Sequence, residues 1–180
     1  MLNYLFLLVD LVYTKLLYRR AKLVRIPFFS RGLHMIDIGI GFKSGRFCRF
    51  DVLSQHNILD RVRLVIGDNV CVGDRVHIAV ALDVFIEQDV LIASNVFISD
   101  HDHGTSKKDS LIISPISRPL SCSPVRIGHS CWIGQNVCIL KGVTIGHNSV
   151  VAAGAVVTKS CDPFSILMGI PARSSSQAVC

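Results

Sequence analysis

Apolar positions recur every six residues along most of this chain. From Ile127 the sequence reads IGHSCW, IGQNVC, ILKGVT, IGHNSV, VAAGAV and VTKSCD, and an aliphatic residue opens each unit. The same pattern starts at Ile66 and, after a two-residue slip, again at Ile86, while a weaker run starts at Ile38. A period of six fits neither an α-helix, which repeats near 3.6 residues, nor a strand, which repeats near 2.

A six-residue unit with Gly, Asn or Asp inside it is typical of a short strand followed by a turn. Three such units close a three-sided coil of about 18 residues, and stacked coils place parallel strands about 4.8 Å apart. The aliphatic residues then stack inside the coil as its core. Hairpin turn pairs such as Asn-Gly do not occur, which argues against an ordinary β-sandwich. The pattern predicts an all-β protein, a parallel β-helix.

The repeat stops at Asp100 and resumes at Ile127. The segment between them carries His101 and His103, where the histidines of this chain cluster, together with Arg118. Loops held by a rigid scaffold are frequent sites of function. An imidazole titrates near neutral pH, so it can take a proton from a hydroxyl group. We therefore expect an extruded loop over residues 99–126 that contributes to an active site.

The first 31 residues lie outside the repeat. Their apolar run MLNYLFLLVDLVYTKLLY contains Asp10 and Lys15 and leads into a basic stretch that ends at Arg31. The run is too short and too charged for a spanning helix, and a signal peptide would carry its positive charges first. We predict an amphipathic, basic helix over residues 1–31. Its apolar face would pack on the domain or on a neighbouring subunit, or residues 1–25 would contact the inner membrane with the arginines toward anionic lipid.

Composition narrows the possible classes of protein. The 180 residues, 50% hydrophobic and 18% charged, fit one folded domain. A formal net charge of +6 indicates anionic partners. We expect no nucleic-acid partner, because the basic residues are not interleaved with aromatics and no reader motif occurs. The seven cysteines contain no C-x-x-C pair and fit free thiols in a reducing cytoplasm.

Three stretches of the sequence resemble the hexapeptide-repeat acyltransferases: the [LIV]-G-x-x-x-x units, the tract CWIGQNVCILKGVTIGHNSVVAAGAVVTK and the closing MGIPAR. The resemblance covers about residues 36–173 and implies a left-handed parallel β-helix and a homotrimer with active sites between subunits. The segments FISDHDHG and ISRPLSCSPVRIG are most similar to bacterial O-acetyltransferases of lipopolysaccharide O-antigen, capsule or exopolysaccharide. We therefore expect an acyltransferase domain over 32–173, after the N-terminal helix, and a short C-terminal tail over 174–180.

The resemblance also implies a reaction. An acetyl group would pass directly from acetyl-CoA to a sugar hydroxyl of a bacterial surface polysaccharide or its precursor, in the cytoplasm. His101 would be the general base, with His103 as the alternative, and backbone N–H groups would stabilise the oxyanion. Asp83 or Glu87 is a candidate to orient the imidazole. The candidate acceptor contacts are His77, Asp83 and Arg118.

Coenzyme A needs an apolar groove for its pantetheine arm and cations for its phosphates. Lys159 and Arg173 would meet the phosphates. Trp132, the single tryptophan, sits at an outward position of its repeat and suits a subunit interface equally well. No metal is expected. By resemblance, the residues along the groove are Trp132, Gly134, Ala153, Thr158, Lys159 and Arg173.

Three other interpretations compete with this one. A solenoid can be a non-enzymatic scaffold that only binds partners. A γ-carbonic-anhydrase-like enzyme would bind zinc through His77, His101 and His103, although the His-x4-His pair of that family is missing. A serine acetyltransferase would carry a helical N-terminal domain longer than the segment found here.

Overall fold

The computed structural model describes residues 2–53, 61–104 and 108–175. Apart from an N-terminal helix, these residues form a left-handed parallel β-helix with three flat sides. Each side is one parallel sheet whose successive strands come from successive coils. The six-residue repeat predicted this architecture, and the prediction is confirmed.

The described strands fall into three sheets and one hairpin. The first side consists of β1 (Leu23–Val24), β4 (Lys43–Ser44), β7 (Cys71–Val72), β10 (Leu91–Ile92), β15 (Trp132–Ile133), β18 (Val150–Val151), β20 (Ile166–Met168) and the antiparallel β21 (Arg173–Ser175). The second consists of β2 (Phe28–Arg31), β5 (Cys48–Val52), β8 (His77–Val80), β11 (Phe97–Ser99), β16 (Cys138–Ile139) and β19 (Val156–Val157). The third consists of β3 (Ile36–Ile38), β6 (Leu64–Ile66), β9 (Val84–Ile86), β14 (Val125–Ile127) and β17 (Thr144–Ile145). The hairpin pairs β12 (His101–His103) with β13 (Leu120–Cys122).

The residues that open the repeats form the core. Ile127 pairs in register with Ile86 of the preceding coil and with Ile145 of the following coil, and all three are buried. A second buried residue four positions later, such as Val137, completes each unit. Burial of a side chain of this size contributes about 1.5–3 kcal/mol, so the stack stabilises the coil along its whole length.

Glycine and asparagine shape the corners between sides. A Cβ on Gly134 would lie 2.6 Å from the backbone nitrogen of Ala153 in the next coil, so only glycine allows this approach. Two residues later Asn136 has φ 60°, and Asn95, the equivalent corner residue of the preceding coil, also has φ 60°. Asparagine tolerates this left-handed conformation better than most residues. The glycine and asparagine residues of the repeats therefore determine the backbone conformation of the turns.

The extruded loop leaves the coil between the second and third sides. Its bounds differ from the predicted 99–126, because Ser99 still pairs with Ala79 and Val125 already pairs with Val84. The described part of the loop holds the β12–β13 hairpin, the short helix α2 (Lys108–Ile112) and a 3-10 turn (Pro115–Ser117). Residues 105–107 lie outside the described part of the chain.

The N-terminal helix α1 (Leu2–Leu17) is shorter than the predicted 1–31. The chain leaves the helix there because Ala21, Val24 and Phe28 enter the coil interior, and β1 and β2 pair with β4 and β5. The β-helix thus begins about ten residues before the predicted position 32. No helix in the described residues is long and apolar enough to cross a bilayer.

Of the three placements predicted for the apolar face of the helix, packing on the domain is wrong, because the helix turns a polar face to the coil and leaves its leucines exposed. Among the described side chains of the helix, the buried ones are Asp10 and Thr14, and they bind the backbone of the first coil. This arrangement satisfies edge backbone groups that a leucine could not bind. Of the predicted tail, residues 174–175 belong to β21 and residues 176–180 lie outside the described chain.

Candidate active site

The predicted loop histidines lie on the hairpin that leaves the coil after β11. Ser99 and Asp100 are still packed into the coil, whereas His103 is exposed. The hydroxyl of Ser99 donates to the carbonyl of His101 at 2.9 Å, and the backbone N–H of His101 donates back to that hydroxyl at 3.3 Å. The turn therefore fixes the backbone of His101 at the base of the loop.

His101 and Asp100 form a hydrogen-bonded pair. Nδ1 of His101 lies 2.9 Å from Oδ1 of Asp100, and their side chains are 11% and 0% exposed. A carboxylate only accepts hydrogen bonds, so the shared hydrogen belongs to Nδ1. Nε2 then keeps a free lone pair and can accept a proton, which is the tautomer that a general base requires.

The buried carboxylate of Asp100 is held by the turn of the preceding coil. The backbone N–H of Ala81 donates to Oδ1 at 2.8 Å, and that of Leu82 donates to Oδ2 at 2.7 Å. Such charge-assisted hydrogen bonds replace the water that burial removes. On the far side of the same turn, the buried guanidinium of Arg63 donates to the carbonyl of Ala81. Three successive coils therefore determine where His101 lies.

Lys141, on the following coil, holds the hairpin from the other side. Its Nζ lies 3.0 Å from Oδ2 of Asp102 and donates to the carbonyl and the hydroxyl of Ser121 at 3.1 and 2.7 Å. A cleft of about 420 Å³ opens beside this contact. It is lined by Asp102, His103, Gly104, Leu111, Arg118, Ser121 and Lys141.

Two of the residues predicted to contact the acceptor, Arg118 and His77, also make polar contacts within the chain. Arg118 lines the cleft and donates to the carbonyls of Leu111 and Ile113 at 3.1 and 2.8 Å. His77 lies one coil earlier, in register with Phe97, and its Nε2 is 3.2 Å from Oδ2 of Asp51. The cleft therefore includes Arg118, while His77 is on the neighbouring second side.

The carboxylates expected to orient His101 do not do so. Arg61 donates to both oxygens of Asp83, at 2.7 and 2.8 Å. Glu87 accepts from the backbone N–H of His129 at 2.9 Å. Asp100 orients the imidazole instead. Asp100 was not among the residues predicted from the sequence. Adjacent side chains of a strand point to opposite faces, and this rule fails where the chain turns out of the coil.

The residues predicted to line the coenzyme A groove lie on the later coils. Trp132 projects from the first side between Leu91 and Val150. Gly134 and Ala153 lie at the corner after the first side, Thr158 and Lys159 at the corner after the second side, and Arg173 on β21. All of these residues except Gly134 are exposed. That the six residues together bind coenzyme A remains a prediction; they are Trp132, Gly134, Ala153, Thr158, Lys159 and Arg173.

The zinc interpretation required three converging histidines. His77 contacts Asp51, and the ring centroids of His101 and His103 are 6.4 Å apart. In the part of the chain that the structure describes, no three His, Cys, Asp or Glu side chains form a group that could hold a metal ion. The donor set expected for that class is therefore not assembled.

Comparisons with known proteins agree with this fold. A family model described as hexapeptide repeat of succinyl-transferase matches residues 124–159. The chain is 37% identical over 168 residues to WbbJ of Escherichia coli (strain K12), which is provisionally named a lipopolysaccharide biosynthesis O-acetyl transferase. This match covers 91% of the chain and 83% of WbbJ.

Two solved structures resemble the chain at moderate identity. A hexapeptide-repeat acetyltransferase from Vibrio cholerae, VCA0836, complexed with acetyl coenzyme A, has a TM-score of 0.55 and 25% identity, over 86% of this chain and 66% of that one. Galactoside acetyltransferase in complex with coenzyme A has a TM-score of 0.57 and 27% identity, over 84% of this chain and 59% of that one. The fold, the six-residue repeat and the similarity to WbbJ over 91% of the chain all point to one family. The chain belongs to the hexapeptide-repeat family of acetyl-CoA-dependent acyltransferases.

Proposed function

We propose that this protein transfers an acetyl group from acetyl-CoA to a sugar hydroxyl, with Nε2 of His101 as the general base. The observation that carries the proposal is the pair formed by His101 and the buried carboxylate of Asp100. It holds the imidazole in the basic tautomer at the base of an exposed loop. A positioned base of this kind contributes about 10² to 10⁴-fold to the rate.

The transfer needs no covalent enzyme intermediate. As the acceptor oxygen attacks the thioester carbonyl carbon, the new C–O bond forms and the hydroxyl proton moves to Nε2 of His101. Asp100 stabilises the imidazolium that results. The tetrahedral intermediate then expels the coenzyme A sulfur, the C–S bond breaks, and Nε2 returns the proton to the thiolate. The base is free again at the end of each turnover.

The cleft next to the hairpin suits a saccharide acceptor. Five of its seven lining residues are polar or charged, and His103, Arg118 and Lys141 among them can donate hydrogen bonds. Saccharides are recognised through such directed hydrogen bonds. The name of WbbJ refers to lipopolysaccharide biosynthesis, which supports a bacterial surface polysaccharide or its precursor as the acceptor class.

The donor and the assembly complete the proposal. Trp132 would pack against the pantetheine arm, and Lys159 and Arg173 would bind the phosphates of coenzyme A. Because these residues and the loop lie on different coils of one chain, a homotrimer with shared sites between subunits would bring donor and acceptor groups together. Acetyl-CoA is a cytoplasmic donor, so we place the enzyme in the cytoplasm, where residues 1–25 would contact the inner membrane.

The proposal is tested by mass-spectrometric detection of acetyl transfer from acetyl-CoA to a panel of nucleotide sugars and oligosaccharides. We expect transfer by the wild type and a loss of at least about a hundredfold in His101→Ala. His103→Ala is the matched control, with the same truncation two residues away. Loss in His103→Ala with retention in His101→Ala would reassign the base. Absence of transfer together with absence of acetyl-CoA binding would return the protein to the scaffold interpretation.

A further inference from the structure

The N-terminal helix α1 exposes its apolar side to solvent. Leu5, Leu8, Val12 and Leu16 follow one another along the face opposite the coil, with Tyr4 beside them. Their side chains are 52% to 80% exposed. At helical spacing these residues form one continuous stripe. A stripe of this kind on a folded domain marks a surface that binds another apolar phase or protein.

The helix cannot turn this stripe inward without breaking polar contacts. Oδ1 of Asp10 accepts from the backbone N–H of Ile26 at 3.0 Å, and Oδ2 lies 2.9 Å from Arg46. The hydroxyl of Thr14 accepts from the backbone N–H of Val24 at 2.8 Å. Rotation would leave these buried groups unpaired, which is strongly unfavourable. The outward direction of the leucines is therefore built into the fold.

Basic side chains lie at the C-terminal end of the apolar stripe. Lys15 lies on the helix itself, and Arg19, Lys22 and Arg25 follow it, all exposed. Through Lys43 the chain has seven Lys and Arg residues but only two acidic residues. Those two are already paired, Asp10 with Arg46 and Asp37 with Arg20. The surface around the helix is thus strongly positive.

We infer that this end of the β-helix docks on an anionic lipid bilayer, with α1 lying in the plane of the interface. An apolar stripe flanked by lysine and arginine has the chemistry that anionic membranes bind. At about 1.5 Å per residue, the 16 residues of α1 span about 24 Å, less than the hydrocarbon core of about 30 Å. The helix therefore lies on the bilayer and does not cross it.

Aromatic side chains extend the same surface. Phe6 and Phe47 are half exposed and line a cleft of about 610 Å³ between the helix and the first two coils, together with Arg25 and Arg46. Phe29 is exposed beside it on β2. Aromatic rings next to cationic groups are favoured at the boundary between headgroups and acyl chains.

Docking would set the height of the active site above the bilayer. Three strand steps separate β2 from β11 along the second side, which is about 14 Å at about 4.8 Å per step. In the proposed homotrimer, a three-fold axis along the coil would leave all three helices on one end, and three contacts bind much more tightly than one.

The docking is tested by flotation of the full-length protein with vesicles, which needs no enzyme activity. We expect the wild type to float with vesicles of equal parts phosphatidylcholine and phosphatidylglycerol. With vesicles of phosphatidylcholine alone it should remain in the bottom fraction of the gradient. Arg19→Gln/Lys22→Gln should lower the partition coefficient about 25-fold, about fivefold for each charge. Leu8→Ser/Val12→Ser should lower it at least about tenfold.

The control is Lys108→Gln/Ile116→Ser, which makes the same chemical changes at two exposed positions of the extruded loop and should float like the wild type. Circular dichroism and thermal unfolding check that each variant is folded. A wild type that does not float with anionic vesicles overturns the inference. So does a Leu8→Ser/Val12→Ser variant that floats normally but has a smaller mass by sedimentation equilibrium, because the stripe would then join copies of the chain.

Discussion

Replacing Asp100 with asparagine tests whether this carboxylate determines the state of His101. The amide keeps one acceptor oxygen and puts an NH₂ group in place of the other. If the NH₂ takes the Oδ2 position, it faces the backbone N–H of Leu82, a donor against a donor. If it takes the Oδ1 position, it opposes the backbone N–H of Ala81 and donates to Nδ1 of His101, so the ring hydrogen moves to Nε2 and the base is blocked.

Both orientations have a measurable consequence. Either one removes a buried charge-assisted hydrogen bond, worth about 1.5–3 kcal/mol, and each kcal/mol lowers Tm by about 2–4 °C in a domain of this size. The second also blocks the base, and in the first the neutral amide no longer stabilises the imidazolium, so kcat falls by the contribution of a general base, about 10² to 10⁴-fold. We therefore expect Asp100→Asn to lower kcat at least about a hundredfold, with an unchanged KM for acetyl-CoA and a modest loss in Tm.

The assay combines initial rates by mass spectrometry at saturating acetyl-CoA with thermal unfolding of the same preparation. Asp102→Asn is the matched control, because it makes the same substitution at an exposed carboxylate that contacts Lys141. We expect less than about a tenfold change there, as for exposed ion pairs. A folded Asp100→Asn enzyme with kcat within tenfold of the wild type would refute the orienting role of Asp100.

Three further predictions address other parts of the molecule. Lys141→Met should free the hairpin and raise KM for the acceptor several-fold while the Kd of acetyl-CoA, measured by calorimetry, stays constant. Trp132→Ala should weaken acetyl-CoA binding about tenfold or more, whereas Leu91→Ala, the neighbouring exposed residue on the first side, should not; equal effects would contradict the groove assignment. Burial raises the pKa of the Cys48 thiol from 9.0 to about 11. Because the folded protein holds the thiol proton more tightly than the unfolded chain does, the thiol contributes its full stabilisation of the fold below pH 9. This stabilisation is lost as the pH rises from 9 through about 11. Urea unfolding should show a shallower loss of stability between pH 9 and 11 in Cys48→Ala than in the wild type, and parallel curves would contradict the assignment.

The β-helix could be predicted from the sequence because each repeat contains the residues that specify its own strand and turn. Each repeat carries its own strand anchor and its own corner residue, as Ile133 and Asn136 show, so the period alone predicts the side chains that stack. The acyltransferase family followed from the same repeats. The first coil, residues 18–31, was not predicted because its core residues Val24 and Phe28 keep the repeat spacing without the Gly, Asn or Asp that marks a turn in the later units.

The candidate site was only partly predictable. The loop and its two histidines stand out as an interruption of the repeat, and the structure holds His101 at the base of that loop. The contacts that orient it join residues 63, 81, 82, 100 and 101 across three coils. Such contacts depend on how coils stack at one corner, which no local pattern encodes. The sequence left open whether the apolar face of α1 packs on the domain, on a neighbouring subunit or on a membrane, because the partners of Asp10 and Thr14, which turn the leucines outward, are brought together only by folding.

The turn at Ala81 and Leu82 joins the stability of the solenoid to its chemistry. Coils of a solenoid contact only their neighbours, so distant coils can fray without disturbing a given corner. The orientation of His101 would therefore tolerate damage near the C-terminal end of the stack, where the proposed coenzyme A groove lies, yet respond to any loosening between the second and fourth coils. The ability of His101 to accept a proton then depends on the order of one short section of the coil, and substitutions that loosen this section should act as catalytic defects long before the whole protein unfolds.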